Sequence, residues 1–535
     1  MKEQSTAKGF AILSAAGMLV KVLSIIYIPL LMTIIGEEGY GLYGASYQIY
    51  AFIYVLTNSG IPVAISKLIS ELNAVGNYRD AVRGFKIARF MLMTIGVVMA
   101  ALLMIFAAPL SRIMGYNKIY LSLLSLAPAI LFTSVASAYR GYFQGRGNMT
   151  PTAVSQIIEQ VINTIFAIIF AAYLMKYGVE VGCVGGPIGT SLGALASASF
   201  LMFCYEKSRR YVLYKKIPVQ KVKRIDTKKL VKKIIKYGVP ITICVGMTYA
   251  GSLVDVWNTK SRLMAGGLSD VKSTILYGYL TKYQQLLNVP ITIISSLSAA
   301  ILPAISAAVA VKNGKKVKDN IDYSFRICFL IAIPCAFGLS VLSDPIFQLL
   351  KFGKGSYIMA WGSVVLVLMS LMQIQTTILQ SIGRLFTATL YSVIGIVIKI
   401  CINYLLIAVP KINILGAVVG STVGFMIPII LNHRIIKKSL SVKISMITHA
   451  VKPLAASAAM GIIVYVNYFL MHFILGFIKI PYLPNAISTA ASVAVGIITY
   501  MYVLVLIGGI SKRDLQSLPN RAMKFIPGFI LVRMK

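Results

Sequence analysis

Ionisable side chains set inside long apolar runs are the first candidates for chemistry, because a charge in hydrocarbon is costly and is kept only where it meets a cavity or a partner. Lys21 is such a residue. It sits near the middle of the first apolar run, and Ser14, Gly17, Lys21 and Ser24 share one helical face by their 3.6-residue spacing. Gly395, Lys399 and Asn403 form a similar stripe far along the chain, and Thr152, Gln156, Glu159 and Asn163 form one that carries a carboxylate. Lys282 falls near the outer end of another long apolar run, and Asp255 near the outer end of the run before it. Lysines that outnumber carboxylates in such places suit an anionic ligand. Two readings stay open for them: lining of a cavity, or a structural ion pair such as Lys399 with Glu159. Asp255 suits a structural partner, and Lys67 suits a side chain that snorkels to the interface.

Tyr43, Tyr47, Tyr50 and Tyr54 repeat at helical spacing. Such a stripe can stack on sugar rings or simply pack against other helices. Patterns for covalent chemistry are missing. Gly353-Lys354-Gly355-Ser356 lacks the earlier glycine of a phosphate-binding loop, and His433, His449 and His472 are scattered. The six cysteines lie in or beside apolar runs without metal-ligand spacing to histidine, as buried small hydrophobes do. No cofactor, metal or enzymatic activity is expected, and any energy must come from an ion gradient, the membrane potential or substrate consumption.

The elements that must hold these residues are membrane helices. Of the 535 residues 58% are hydrophobic and only 13% charged, with a mean hydropathy of +0.81. A crossing helix needs about 20 mostly apolar residues. Runs at 10–35, 44–69, 87–109, 119–139, 153–175, 182–204, 237–258, 275–310, 327–350, 357–382, 387–408, 414–432, 453–476 and 484–508 predict about fourteen crossings in an all-α polytopic membrane protein. A net charge of +37 would suggest nucleic acid in a soluble protein, but most of the 52 Lys and Arg fall on one side of alternating crossings. The expected partners of these basic loops are therefore anionic membrane lipids, with no nucleic acid. Both termini are expected in the cytoplasm.

A repeat with an offset near 236 residues organises the chain: Tyr47-Gln48 recurs as Tyr283-Gln284, Pro109 as Pro345, and Gln144 with Gly147 as Gln380 with Gly383. This predicts two pseudo-symmetric six-helix bundles, 1–206 and 237–440, joined by a basic cytoplasmic linker at 207–236. Two additional helices and a basic tail follow in 441–535. Parallel repeats of this kind place a substrate site at their interface. Glycines 182, 185, 186, 189 and 193 suit close helix approach, and the apolar and basic tail at 524–535 suits an interfacial segment.

Three stretches carry a resemblance: GYFQGRGNMTPTAVSQIIEQVIN from Gly141, KGFAILSAAGMLVKVLSIIYIPLL from Lys8, and YGYLTKYQQLLNVPITIISSLSAAILPAIS from Tyr277. Together they resemble the stage V sporulation protein B and polysaccharide-flippase branch of the multidrug/oligosaccharidyl-lipid/polysaccharide exporter superfamily, with the lipid II flippases beside it. The resemblance spans essentially the whole chain. It implies two six-helix bundles around a central cavity, and cavity cations that bind the diphosphate of an undecaprenyl-linked sugar. By resemblance Lys21 stands where relatives have a first-helix arginine and Lys282 where they have an eighth-helix arginine. Tyr27 and Ile28 stand where a second arginine and an aspartate are usual. The implied activity is translocation of an undecaprenyl-diphosphate-linked saccharide from the inner to the outer leaflet of the bacterial cytoplasmic membrane, in spore-cortex or cell-wall synthesis. A cation-coupled exporter of drugs or metabolites is the alternative, and it would want cavity carboxylates. A non-transporting membrane scaffold of wall synthesis is the third reading.

Overall fold

A backbone that crosses hydrocarbon must satisfy its own polar groups, and apolar runs of this length do so as helices. The computed structural model describes residues 6–214, 224–311, 313–440, 446–477 and 482–509, and every regular element among them is helical. The tail at 524–535 and the middle of the basic linker, 215–223, lie outside the described residues. In chain order the helices are α1 (Thr6–Asn58), α2 (Gly60–Ala74), α3 (Tyr78–Ile113), α4 (Tyr120–Gly145), α5 (Thr150–Leu174), α6 (Val179–Gly182), α7 (Gly185–Tyr214), α8 (Thr227–Ala265) and α9 (Asp270–Ala310). They continue as α10 (Gly314–Val341), α11 (Ser343–Leu349), α12 (Ser356–Gly362), α13 (Val364–Ser381), α14 (Leu385–Leu406), α15 (Leu415–Leu440), α16 (Met446–Ile474) and α17 (Tyr482–Leu506).

Thirteen described segments are long and apolar enough to cross a membrane. The first, Ala15–Asn73, has 59 residues, far more than one crossing requires. It holds two. Gly36 divides α1 at φ 71° and ψ −176°, a conformation that glycine adopts readily because it has no Cβ. Counted that way the described residues hold the fourteen crossings expected, and the chain is a multi-pass membrane protein. Several boundaries differ from expectation. The crossing predicted at 327–350 ends at Val341, and 343–349 is a separate short helix begun by Ser343, Asp344 and Pro345. The one predicted at 357–382 is broken at Ser363. The linker expected at 207–236 is helical at both described ends, since α7 runs on to Tyr214 and α8 already starts at Thr227.

Packing divides the chain into two compact units, Met1–Gly278 and Tyr279–Lys535. This boundary differs from the repeat boundary read in the sequence, because α8 packs on α1, α2 and α3 within the first unit. The core of that unit includes an aromatic group in which Phe85 meets Tyr139, Tyr142 and Tyr205 at centroid distances of 5.4, 4.7 and 5.1 Å. In the second unit α10, α13 and α15 surround Phe325, Phe329 and Ile374, while α16 and α17 close over Leu342 through Met460, Val464 and Leu504.

Each unit contains a tight glycine-faced helix pair. On α7, a Cβ added at Gly185 would lie 2.2 Å from Ala171 N, one at Gly189 2.6 Å from Asn163 O, and one at Gly193 2.5 Å from Glu159 O. On α15, a Cβ at Gly416 would lie 2.9 Å from Ile407 N, one at Gly420 2.0 Å from Asn403 Oδ1, and one at Gly424 2.7 Å from Lys399 Cβ. Small residues at every fourth position let α7 and α15 lie directly on α5 and α14.

The entry to α8 is clamped from α3. Asp80 is 1% exposed, and its Oδ2 accepts from the Ile225 amide at 2.8 Å and from Asn77 Nδ2 at 3.0 Å. Arg83 donates to Ile225 O at 3.1 Å and to the Thr227 hydroxyl. Both polar groups of the Ile225 backbone are thus held by side chains 142 and 145 positions earlier. Asp80→Ala leaves a half-buried amide without its acceptor, at a cost of about 1 kcal/mol. A lowered melting temperature of the purified protein in detergent is expected, and an unchanged one would remove the clamp from the account.

Candidate functional site

Lys21 lies in the part of α1 before Gly36, within the membrane-spanning segment, and it is exposed. No carboxylate pairs with it among the described residues. Its face is open: a Cβ built on Gly17, one turn away, would meet nothing within 4 Å. Ser24 is turned inward and donates to Val20 O at 2.9 Å. An ammonium without a counter-charge at this depth needs water or an anion.

Glu159 has a partner that sequence spacing did not suggest. Arg140 on α4 donates through Nη2 to Glu159 Oε2 at 2.6 Å and to Ser197 Oγ at 2.9 Å, and through Nε to Ser155 Oγ at 3.1 Å. The structural ion pair considered with Lys399 is therefore occupied from within the first unit by an arginine. Arg140 lies one residue beyond the apolar run predicted at 119–139, because α4 continues to Gly145. Asn163, one turn along α5, accepts from the Thr190 hydroxyl at 3.3 Å, and Thr190 in turn is bonded to the Tyr47 hydroxyl.

The tyrosines of α1 form one ladder. Ring centroids run 5.8 Å from Tyr40 to Tyr43, then 4.4 Å to Tyr47, 6.0 Å to Tyr50 and 5.9 Å to Tyr54. Tyr40, Tyr43 and Tyr50 are buried, and a Cβ on Gly186 would lie 2.6 Å from the Tyr43 ring. In this conformation the ladder packs helices together.

Lys282 is fully buried, with Nζ donating to Phe352 O at 2.6 Å and lying 4.7 Å from the Tyr279 ring centroid. Here it anchors the turn before α12, where Lys351 takes a positive φ of 51°. Lys399 and Asn403 face the glycines of α15, and Asn403 is 1% exposed, so this stripe packs helices in the second unit. Asp255 is half-buried on α8.

Two further polar groups lie on α8. Near its C-terminal end Lys260, 2% exposed, lies 2.7 Å from Asp270 Oδ1 and 4.1 Å from the Tyr116 ring centroid. A second pair, Lys118 with Glu38 at 2.6 Å, joins the turn before α4 to α1. Toward the basic end, α8 meets α2. Lys67 Nζ stands 4.1 Å over the Tyr237 ring, Tyr237 donates to Glu71 Oε1 at 3.1 Å, and Lys233 lies 3.6 Å from Glu71 Oε2. The backbones almost touch there: a Cβ on Gly60 would lie 2.0 Å from Gly238 O.

Residues 6–309 match the family model described as polysaccharide biosynthesis protein. The chain belongs to the polysaccharide biosynthesis protein family. It is 27% identical over 526 residues to Stage V sporulation protein B of Bacillus subtilis (strain 168), covering 97% of this chain and 98% of that protein. It is 24% identical over 535 residues to Lipid II flippase MurJ of the same organism, covering 96% and 97%. Among solved structures, an inward closed conformation of Lipid II flippase MurJ superposes with a TM-score of 0.67 at 16% identity, over 95% of this chain and 100% of that one. An inward-facing multidrug resistance MATE family transporter gives a TM-score of 0.65 at 15% identity, over 79% and 94%. At such identities the likeness shows the fold of this polysaccharide biosynthesis protein and not its cargo.

Proposed function

We propose that the protein is a transporter that carries a saccharide linked to a polyprenyl diphosphate from the inner to the outer leaflet of the bacterial cytoplasmic membrane, without covalent chemistry. The observation that carries this is Lys21, an exposed ammonium on a membrane-spanning helix that pairs with no carboxylate among the described residues. The diphosphate supplies the anion such a group needs, while the lipid tail stays in the bilayer. Within the second unit Lys282 donates to the Phe352 carbonyl and Lys399 packs on α15, so the reading rests on Lys21. Relatives named for lipid II flipping and for sporulation, aligned over nearly the whole chain, support this cargo class and a setting in wall or spore-cortex synthesis.

Cytoplasmic termini follow from the lysine and arginine excess on one side of the crossings. Moving about two negative charges outward across about 100 mV, negative inside, is favourable by about 4–5 kcal/mol at about 2.3 kcal/mol per charge. That suffices without a nucleotide. The cation-coupled alternative needs a carboxylate for its cation, and in this conformation Glu159 is paired with Arg140 at 2.6 Å. Lys21→Ala should lower translocation of an undecaprenyl-diphosphate saccharide in proteoliposomes at least tenfold, about 1.4 kcal/mol of lost anion binding, whereas Lys21→Arg should retain it. Full activity in Lys21→Ala would remove Lys21 from the transport path.

A further inference from the structure

We infer that Arg140 is a second diphosphate ligand, held in reserve by Glu159 and handed to the cargo when the carboxylate is displaced. This rests on the proposed lipid-diphosphate cargo and assigns to it a residue on a different helix from Lys21. A guanidinium carries five N–H donors in a rigid fork that matches phosphate oxygens two at a time. Three are used here: Nε on Ser155, and both hydrogens of Nη2 on Glu159 and Ser197. Nη1 has no partner among the described residues.

The pair is not sealed. The Arg140 side chain keeps 13% of its exposure and Glu159 keeps 27%, within helices long and apolar enough to cross a membrane. Ser155 and Ser197 are fully buried, and Ser155 spends its own proton on Thr152 O at 2.7 Å, so it can only accept from the guanidinium. The serines therefore fix the plane of Arg140, while the carboxylate on its open side is the one ligand that a phosphate can replace like for like. Exchange keeps the guanidinium neutralised throughout. An ion pair present for stability alone would gain nothing from a free Nη1 edge.

The test is binding of undecaprenyl diphosphate to the purified full-length protein in detergent, with undecaprenol as the control that lacks the phosphates. Arg140→Gln should weaken undecaprenyl diphosphate at least tenfold and leave undecaprenol unchanged. Glu159→Gln should tighten it about threefold or more, because the competing carboxylate is gone, and no stabilising role for the pair predicts that gain. The double variant Arg140→Gln/Glu159→Gln removes both charges and guards against misfolding of either single one. It should keep a melting temperature near wild type yet bind as weakly as Arg140→Gln. A double variant that binds like wild type, or a Glu159→Gln that binds no better, overturns the inference while leaving the cargo assignment intact. Wild-type protein that is folded and binds no undecaprenyl diphosphate overturns both.

Discussion

Gly60→Val should reduce transport about tenfold to a hundredfold while leaving the protein folded. The added Cβ would stand 2.0 Å from the Gly238 carbonyl oxygen, 2.4 Å from Thr242 Oγ1 and 2.8 Å from the Gly238 carbonyl carbon. Two of those atoms are backbone, so no rotamer change relieves the clash, and α2 must move away from α8. Overpacking of this kind costs about 1–3 kcal/mol, and each 1.4 kcal/mol shifts the population of the closed arrangement about tenfold. The polar contacts beyond Gly60 would part with it. A short bismaleimide should crosslink Glu71→Cys to Lys233→Cys in the parent background, and less so when Gly60→Val is added. Persistence of the crosslink together with normal transport would show that this approach of α2 and α8 has no part in the cycle.

Gly189→Leu should instead prevent recovery of folded protein. A Cβ there lies 2.6 Å from both Ala167 N and Asn163 O and 2.7 Å from Ala167 Cβ, and the rest of a leucine has nowhere to go. The neighbours are the α5 backbone itself, so the cost is expected at or above the upper end of overpacking, about 3 kcal/mol or more. Gly338→Ala is the control, since nothing lies within 4 Å of its Cβ and alanine favours the helix. Size-exclusion profiles and melting temperatures should separate the two variants sharply. A monodisperse Gly189→Leu protein with an unchanged melting temperature would contradict the tight α5–α7 contact.

What was legible in the sequence follows what lipid demands. Long apolar runs reveal crossings because the bilayer fixes their length, and the crossings emerge even where Gly36 bends one helix into two. Breaks at Ser59, Leu342 and Ser363 were not legible, since each is a local turn inside an otherwise apolar run. The division at Gly278 was hidden for another reason: a repeat records ancestry of sequence, whereas a compact unit records which faces pack, and α8 packs with the elements before the linker.

For the site, helical spacing picks out polar stripes but does not say what each faces. Glycines 420 and 424 on a later helix decide that Asn403 and Lys399 meet α15. The carbonyl that engages Lys282 belongs to a residue 70 positions away in a turn. Arg140 and Lys260 were missed because each stands just past the expected end of a crossing, at 139 and 258, where a basic residue reads as an interfacial one. Lys21 kept its place because no hydrogen bond or ion pair holds it among the described residues.

The most direct measurement is translocation by the wild-type protein in proteoliposomes of a fluorescent saccharide linked to undecaprenyl diphosphate, set beside a cationic dye under an imposed sodium or proton gradient. The predicted result is protein-dependent movement of the lipid-linked saccharide that quickens when the starting side is made electrically negative, with no movement of the dye. Gradient-driven movement of the dye by folded protein, with the saccharide left in its starting leaflet, would contradict the account.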